Sequence, residues 1–280
     1  MDMRSLSKLV HRTASADSSK SSLSRLRCGA LVDTDAWTQA FAEDRQRLRA
    51  VAVADLARGD VVFARQTAGA IHGIVVSGPT DTVHTIPRGA HPPKSHGDVI
   101  RHGVPLPDAD IDVVEGFLVT TLDRTVFDLI RTTRPEDALA TFDSAIRRIA
   151  WDPDARELDV AAASEFIELV SKRIRDASGA RGIRQAREIL DLADGACASP
   201  GESRSRWRMH ELRMPRPVLQ LPVSTDLGTV FLDFAWPRLH MFGEFDGEVK
   251  FLDPTMARGR TPHEVMHDQA TRRDAIERAD

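Results

Sequence analysis

Apolar and polar positions divide this chain into short periodic stretches separated by glycine and proline. The first 22 residues are rich in Ser, Lys, Arg and Asp, lack apolar periodicity and read as a frayed segment. Ser22 is placed to cap a short helix carrying Leu23 and Leu26, which Gly29 would end. Phe41, Leu48, Val51 and Leu56 recur near helical spacing, which predicts one helix from Asp35 to Arg58 with Gly59 behind it. A short strand over Asp60–Ala64 follows, then a helix over Gln66–His72 stopped by Gly73. Alternation predicts strands over Asp81–Ile86 and Asp98–His102, joined by a Pro/Gly/His-rich loop, Pro87–Gly97. The stretch from Val113 to Ala150 reads as a strand and two helices. Thr120 would cap the first, and the second has Pro135 at its first position and Glu136 and Asp137 in its first turn.

The pattern breaks at Ala150–Pro153, and residues 156–194 are helical and Ala-rich, with an interruption near Gly179–Gly182. Ser199, Pro200 and Glu202 then form a capping box with proline correctly placed, opening a helix to about Arg213. Three strands follow, over Val218–Val223, Thr229–Trp236 and Leu239–Lys250, and a helix from about Pro262. The predicted class is α/β (α+β). The expected organisation is a frayed or remnant segment over 1–35, an α+β domain over 36–150, a helical connector over 151–198 and an α/β domain over 199–280.

Composition narrows the function classes. The formal net charge is −4, so no overall field draws the chain to nucleic acid or anionic lipid, and such contact needs a local basic patch. Cys28 and Cys197 lie far apart and match no metal spacing, which suits reduced thiols in a cytoplasmic protein. No stretch approaches a membrane helix, and no apolar signal core stands at the N-terminus.

Acidic residues gather in the last segment. Asp233 interrupts the apolar strand VFLDFAW, and Glu244, Asp246, Glu248 and Lys250 alternate at the end of the next. Residues two apart on a strand share a face, roughly 6.5 to 7 Å apart. Clustered carboxylates are hard ligands suited to Mg²⁺. The bland reading is a solvated strand end, with Glu202 serving only as a cap and Lys250 simply exposed. Arg204, Arg206, Arg208, Arg213 and Arg216 form the densest basic stretch. Arg204, Arg208 and Arg213 are the candidate nucleic-acid contacts, against the reading of a solvated helix face.

The segments SPGESRSR, FLDFAWP, GEFDGEVK and the helix with DQATRRD resemble the PD-(D/E)XK nuclease superfamily, most of all relatives of very-short-patch-repair endonucleases. That resemblance implies Mg²⁺-dependent phosphodiester cleavage with Asp233 and Glu244 as metal ligands. Glu202 would be the helix glutamate, and DNA the partner. Asp246 stands where the superfamily pattern expects lysine, and Lys250 would supply that charge from further along. Family members continue past the last helix, so the resembling core reads as truncated and weak or absent cleavage is expected.

A second resemblance lies in SSLSRLRCGALV, RQRLRAVAVA, VVFARQTAGAIHG and VTTLDRTVFDLI, which are similar to antitoxins of the AbiE type. It implies a cognate toxin partner and a preceding winged helix, of which residues 20–35 would be the end. This chain has Ala64-Arg65 where typical members have Ser-His. A DNA-binding regulator without catalysis is the competing expectation, and the oligomeric state is left open.

Overall fold

The computed structural model describes residues 2–13, 22–57, 59–78, 81–88, 94–245 and 271–278. The fold is mixed α+β, as the pattern predicts. It opens with helix α1 (Met3–Ser7), whose first turn Asp2 caps by accepting from the Ser5 N–H at 2.7 Å. Strands β1 (Val10–Arg12), β2 (Leu23–Arg27) and β3 (Ala30–Asp33) form an antiparallel sheet with β3 central. Two expectations are overturned here. Met3 and Leu6 are fully buried, so residues 2–13 are built structure rather than a frayed end. Leu23 and Leu26 lie on a strand, and Gly29, at φ 87°, turns the β2–β3 connection instead of ending a helix.

The expected single helix is two, α2 (Thr34–Gln39) and α3 (Ala42–Leu56). Phe41 is extended at the break. Arg45 takes up the carbonyls freed there, donating to Trp37 O at 3.3 Å and Thr38 O at 3.2 Å. A five-stranded sheet follows: β4 (Val62–Phe63), β5 (Val83–Ile86), β6 (Val99–Arg101), β7 (Ile111–Val114) and β8 (Phe117–Thr120), in the order β6-β5-β4-β8-β7. Between β4 and β5 runs α4 (Arg65–His72), ended by Gly73 at φ 72°. The expected single strand after Val113 is the hairpin β7–β8, because Glu115 and Gly116 both adopt positive φ, the pairing a tight hairpin turn requires. In consequence Thr121, not Thr120, precedes α5 (Leu122–Ile130).

α5 and α6 (Pro135–Ala150) begin a helical bundle completed by α7 (Val160–Asp176), α8 (Ile183–Leu192) and α9 (Pro200–Glu211). A small hairpin, β9 (Trp151–Asp152) with β10 (Glu157–Leu158), joins α6 to α7. One apolar core runs from Ile74 through Phe142, Phe166 and Ile189 to Trp207, so α9 belongs to the same packing as the helices before it. The antiparallel sheet β11 (Val218–Thr225), β12 (Gly228–Trp236) and β13 (Met241–Gly243) follows, with the helix over 271–278 packing Ile276 on Val230 and Leu232.

A buried ion pair holds α9 to α6. Asp143 on α6 accepts from the Asp194 N–H at 2.8 Å, Ser203 Oγ at 2.7 Å and Arg206 Nη1 at 2.9 Å. Burial pushes its carboxyl up to about 6, with Arg206 pulling the other way. Asp143→Ala leaves the Arg206 guanidinium buried without its charge partner and should cost about 3 kcal/mol in urea unfolding; a loss under about 1 kcal/mol would refute this role.

In the five-stranded sheet His84 and His102 stack at 5.2 Å, with His84 Nδ1 and His102 Nε2 2.9 Å apart. Both are pushed down to about 4, His84 by burial, His102 and Arg65, and His102 by burial and Arg65. As pH falls below the ordinary histidine value near 6.5, the unfolded chain takes protons that the folded chain refuses. The pair's contribution is therefore complete above that value and lost toward about 4. Asp143, shifted upward, gives the opposite slope at lower pH, but it is common to wild type and His84→Gln. The variant should lose less stability than wild type between about pH 7 and 5 in urea titrations; an identical loss would count against the pair.

Candidate functional site

The site begins at the N-terminus of α9. Ser199 is extended, as an N-cap must be, and Pro200 fills the first helical position. The Glu202 N–H donates to Ser199 Oγ at 3.2 Å, and Ser199 Oγ donates to Glu202 Oε1 at 2.8 Å. Glu202 Oε2 reaches back to accept from the Ala198 N–H at 2.9 Å. The buried Glu202 thus completes a capping exchange like a capping box, bonding the amide one residue before the cap. Burial pushes its carboxyl up, the negative charge of Asp233 adds to that, and Ala198, Ser199 and Arg147 oppose it. Glu202 and Asp233 are therefore electrostatic neighbours.

β12 places Asp233. Its even-numbered residues Val230, Leu232, Phe234 and Trp236 are buried, and Asp233 points to the other face, half-buried. The β11–β12 register sets Gln220 opposite Asp233, and Gln220 Nε2 donates to Asp233 Oδ1 at 3.3 Å. On the other side β13 pairs Gly243 with Phe234. Continuing that register by one residue sets Glu244 across from Asp233, and the Phe245 N–H donates to Asp233 Oδ2 at 2.9 Å. Glu244 meets Arg272 Nη2 at 3.3 Å, and the same guanidinium donates to Phe231 O at 2.6 Å. The ring of Phe245 lies on Gly201, where an added Cβ would come within 2.1 Å of it. This contact joins the exit of β13 to the entrance of α9 and brings Glu202, Asp233 and Glu244 into one neighbourhood.

Of the five candidate catalytic residues the structure sets Glu202 near Asp233, with Glu244 bonded to Arg272; Asp246 and Lys250, with Glu248, lie outside the described residues. Among the described residues no three His, Cys, Asp or Glu side chains group closely enough to hold a metal ion. The carboxylates are hard donors, but each is engaged by protein donors: Glu202 by its cap, Asp233 by Phe245 and Gln220, Glu244 by Arg272. The described residues alone do not present a ready ligand set for Mg²⁺.

The arginines separate by position. Arg204 pairs with Asp137 at 2.9 Å and Arg208 with Glu211 at 2.7 Å, while Arg213 is exposed in the left-handed conformation just past α9. Arg206 turns inward to Asp143. Sequence reasoning did not find Gln220, Gly201 or Phe245. Counting the cross-strand register back from Asp233 would have found Gln220; the Gly201–Phe245 contact left no signal.

Over 189 residues the chain is 31% identical to an uncharacterized protein of Mycobacterium tuberculosis strain ATCC 25618 / H37Rv and to one of strain CDC 1551 / Oshkosh. The similarity covers 67% of this chain and 63% of each relative, so the chain spans less than two thirds of their length. No family model matches the sequence. No solved structure matches it.

Ser199→Ala removes both hydrogen bonds of the Ser199 hydroxyl, leaving Glu202 on the Ala198 amide, and should lower stability by about 1 kcal/mol. Urea unfolding of the two proteins measures it, and an unchanged midpoint would mean that Glu202 holds the helix end without the hydroxyl.

Proposed function

We propose that this is a nucleic-acid-associated protein whose C-terminal unit, residues 199–280, is a PD-(D/E)XK nuclease-like domain with weak or no cleavage activity. The observation that supports this reading is the approach of Glu202 on a helix to Asp233 on a central strand, with Glu244 just past the strand beside it and the Phe245 amide bonded to Asp233. The resemblance to the superfamily implies Mg²⁺, which when bound would supply an activated water and charge stabilisation for phosphodiester cleavage. Each described carboxylate already accepts from a protein donor, which argues for weak metal chemistry. Position 246 is aspartate where the resembling superfamily has lysine, which also argues for weak chemistry.

A second reading is a DNA-binding antitoxin or regulator, with the nuclease-like unit as scaffold and a cognate toxin as partner. The engagement of Glu202 in its cap and of Glu244 with Arg272 favours it. The mycobacterial relatives are uncharacterized and favour neither reading.

A plasmid assay with Mg²⁺ or Mn²⁺, run beside a gel-shift assay in chelator, tests both. We expect a mobility shift with little or no cleavage. Robust cleavage that chelator abolishes and Glu244→Ala removes would establish an active nuclease. Neither shift nor cleavage, on DNA or RNA, would remove nucleic acid from the reading altogether.

A further inference from the structure

A second concave site lies where α4, the end of α5 and the start of α8 meet. It is a cavity of about 610 Å³ lined by Arg65, Arg131, Thr132, Thr133, Arg181 and Gln185, among others. Three guanidinium groups line it, and among the described residues no carboxylate does. Like charges brought to one cavity from three separate elements repel each other unless an anion joins them.

The arrangement is built by the backbone. Arg65 sits at φ 49°, a left-handed conformation that a residue with a side chain rarely adopts. Gly182 sits at φ 81°, and a Cβ there would lie 2.1 Å from the Arg131 carbonyl oxygen. Only glycine allows the start of α8 to approach α5 this closely, which sets Arg181 beside Arg131.

The guanidinium groups are also poorly served by the protein. Among the described residues the half-buried Arg65 side chain has no hydrogen bond or ion pair. Burial pushes its pKa down, with Arg131 and Arg124 reinforcing and Asp128 opposing. Arg131 Nε is buried without a hydrogen-bond partner. Its nearest carboxylate oxygen, Asp128 Oδ1, is 3.7 Å away, too far for a hydrogen bond, and Asp128 Oδ2 already accepts from Arg124 at 2.9 Å. Thr132, Thr133 and Gln185 spend their donors on backbone carbonyls of α5 and the turn after it. Arg65 and the Nε of Arg131 thus keep donors without a hydrogen-bond partner, although the Arg131 guanidinium also sits over the Phe127 ring, 4.9 Å from its centroid.

We propose that this cavity binds a small, multiply charged phosphate ligand of the polyphosphate class through Arg65, Arg131 and Arg181. Guanidinium forks match phosphate oxygens in pairs, and three forks suit more than one phosphate group. The volume is that of a small-molecule site. A nucleic-acid backbone carries the same phosphate chemistry but needs a basic track along a surface, whereas these groups line a cavity. The site is independent of the Glu202–Asp233–Glu244 neighbourhood, and the proposal stands apart from the nuclease-like reading.

Calorimetric titration of the full chain with sodium tripolyphosphate, in low salt and chelator, tests it. Saturable binding is expected. Arg65→Gln and Arg181→Gln should each weaken it roughly tenfold or more, the scale of a lost charged hydrogen bond. Arg181 is exposed, so its variant keeps the fold even if Arg65→Gln does not. Arg187→Gln, exposed on α8 and outside the cavity lining, should bind as wild type does. A short DNA duplex should not displace the ligand. Absence of saturable binding, undiminished binding by Arg181→Gln, or displacement by the duplex would each overturn the proposal.

Discussion

Arg206 reaches out of α9 into the helical core, where Asp143 meets it together with Ser203 and the amide of Asp194. Two charges removed from water cost several kcal/mol each, and only mutual attraction plus further hydrogen bonds offsets that. Here both carboxylate oxygens are bonded, and Arg206 also reaches Leu192 O and Cys197 Sγ. Satisfying this cluster leaves α9 little freedom to rotate or slide on α6. The first turn of α9, four residues before Arg206, carries Glu202, so the helix anchor also orients the carboxylate beside Asp233. An apolar contact of equal area would fix depth of packing but not rotation about the helix axis, because it lacks directional bonds.

Regular local signals in the sequence survived into the structure where one residue dictates geometry. Gly73 ended α4, Pro135 began α6, and Ser199–Glu202 began α9. The apolar run around Asp233 gave the strand, and the structure turns the acid to the face opposite Leu232. Local signals failed where two geometries share a pattern. Leu23 and Leu26 suit a helical turn, yet the hairpin with β3 buries Leu26 with Ala30 and Val32. The break before Phe41 carries no glycine or proline, and Arg45 stabilises it through carbonyls that only the folded chain exposes.

The candidate site was legible as a set of residue types, less so as a set of partners. Strand order and register follow from alternation and short turns, which is why Asp233 and Glu244 could be expected on neighbouring strands. What each carboxylate touches depends on contacts across the sheet and between distant segments, such as Gln220, Phe245 and Arg272. The basic stretch after Ser199 shows the same limit. Arg204 and Arg206 are two residues apart on a helix, so they point in different directions, one to the surface and one to Asp143. A buried acid on the preceding helix decides which arginine turns inward, and no local pattern reveals that acid.

The Phe245 ring on Gly201 ties together two positions that lie far apart in the chain. Any side chain at 201 would occupy the space of the ring, and a smaller residue at 245 would leave the helix entrance uncovered. Neither position can drift alone without disturbing the Phe245 amide that bonds Asp233. Over evolutionary time the two sites should therefore change as a pair, through compensating exchanges, even where neither side chain takes part in any chemistry.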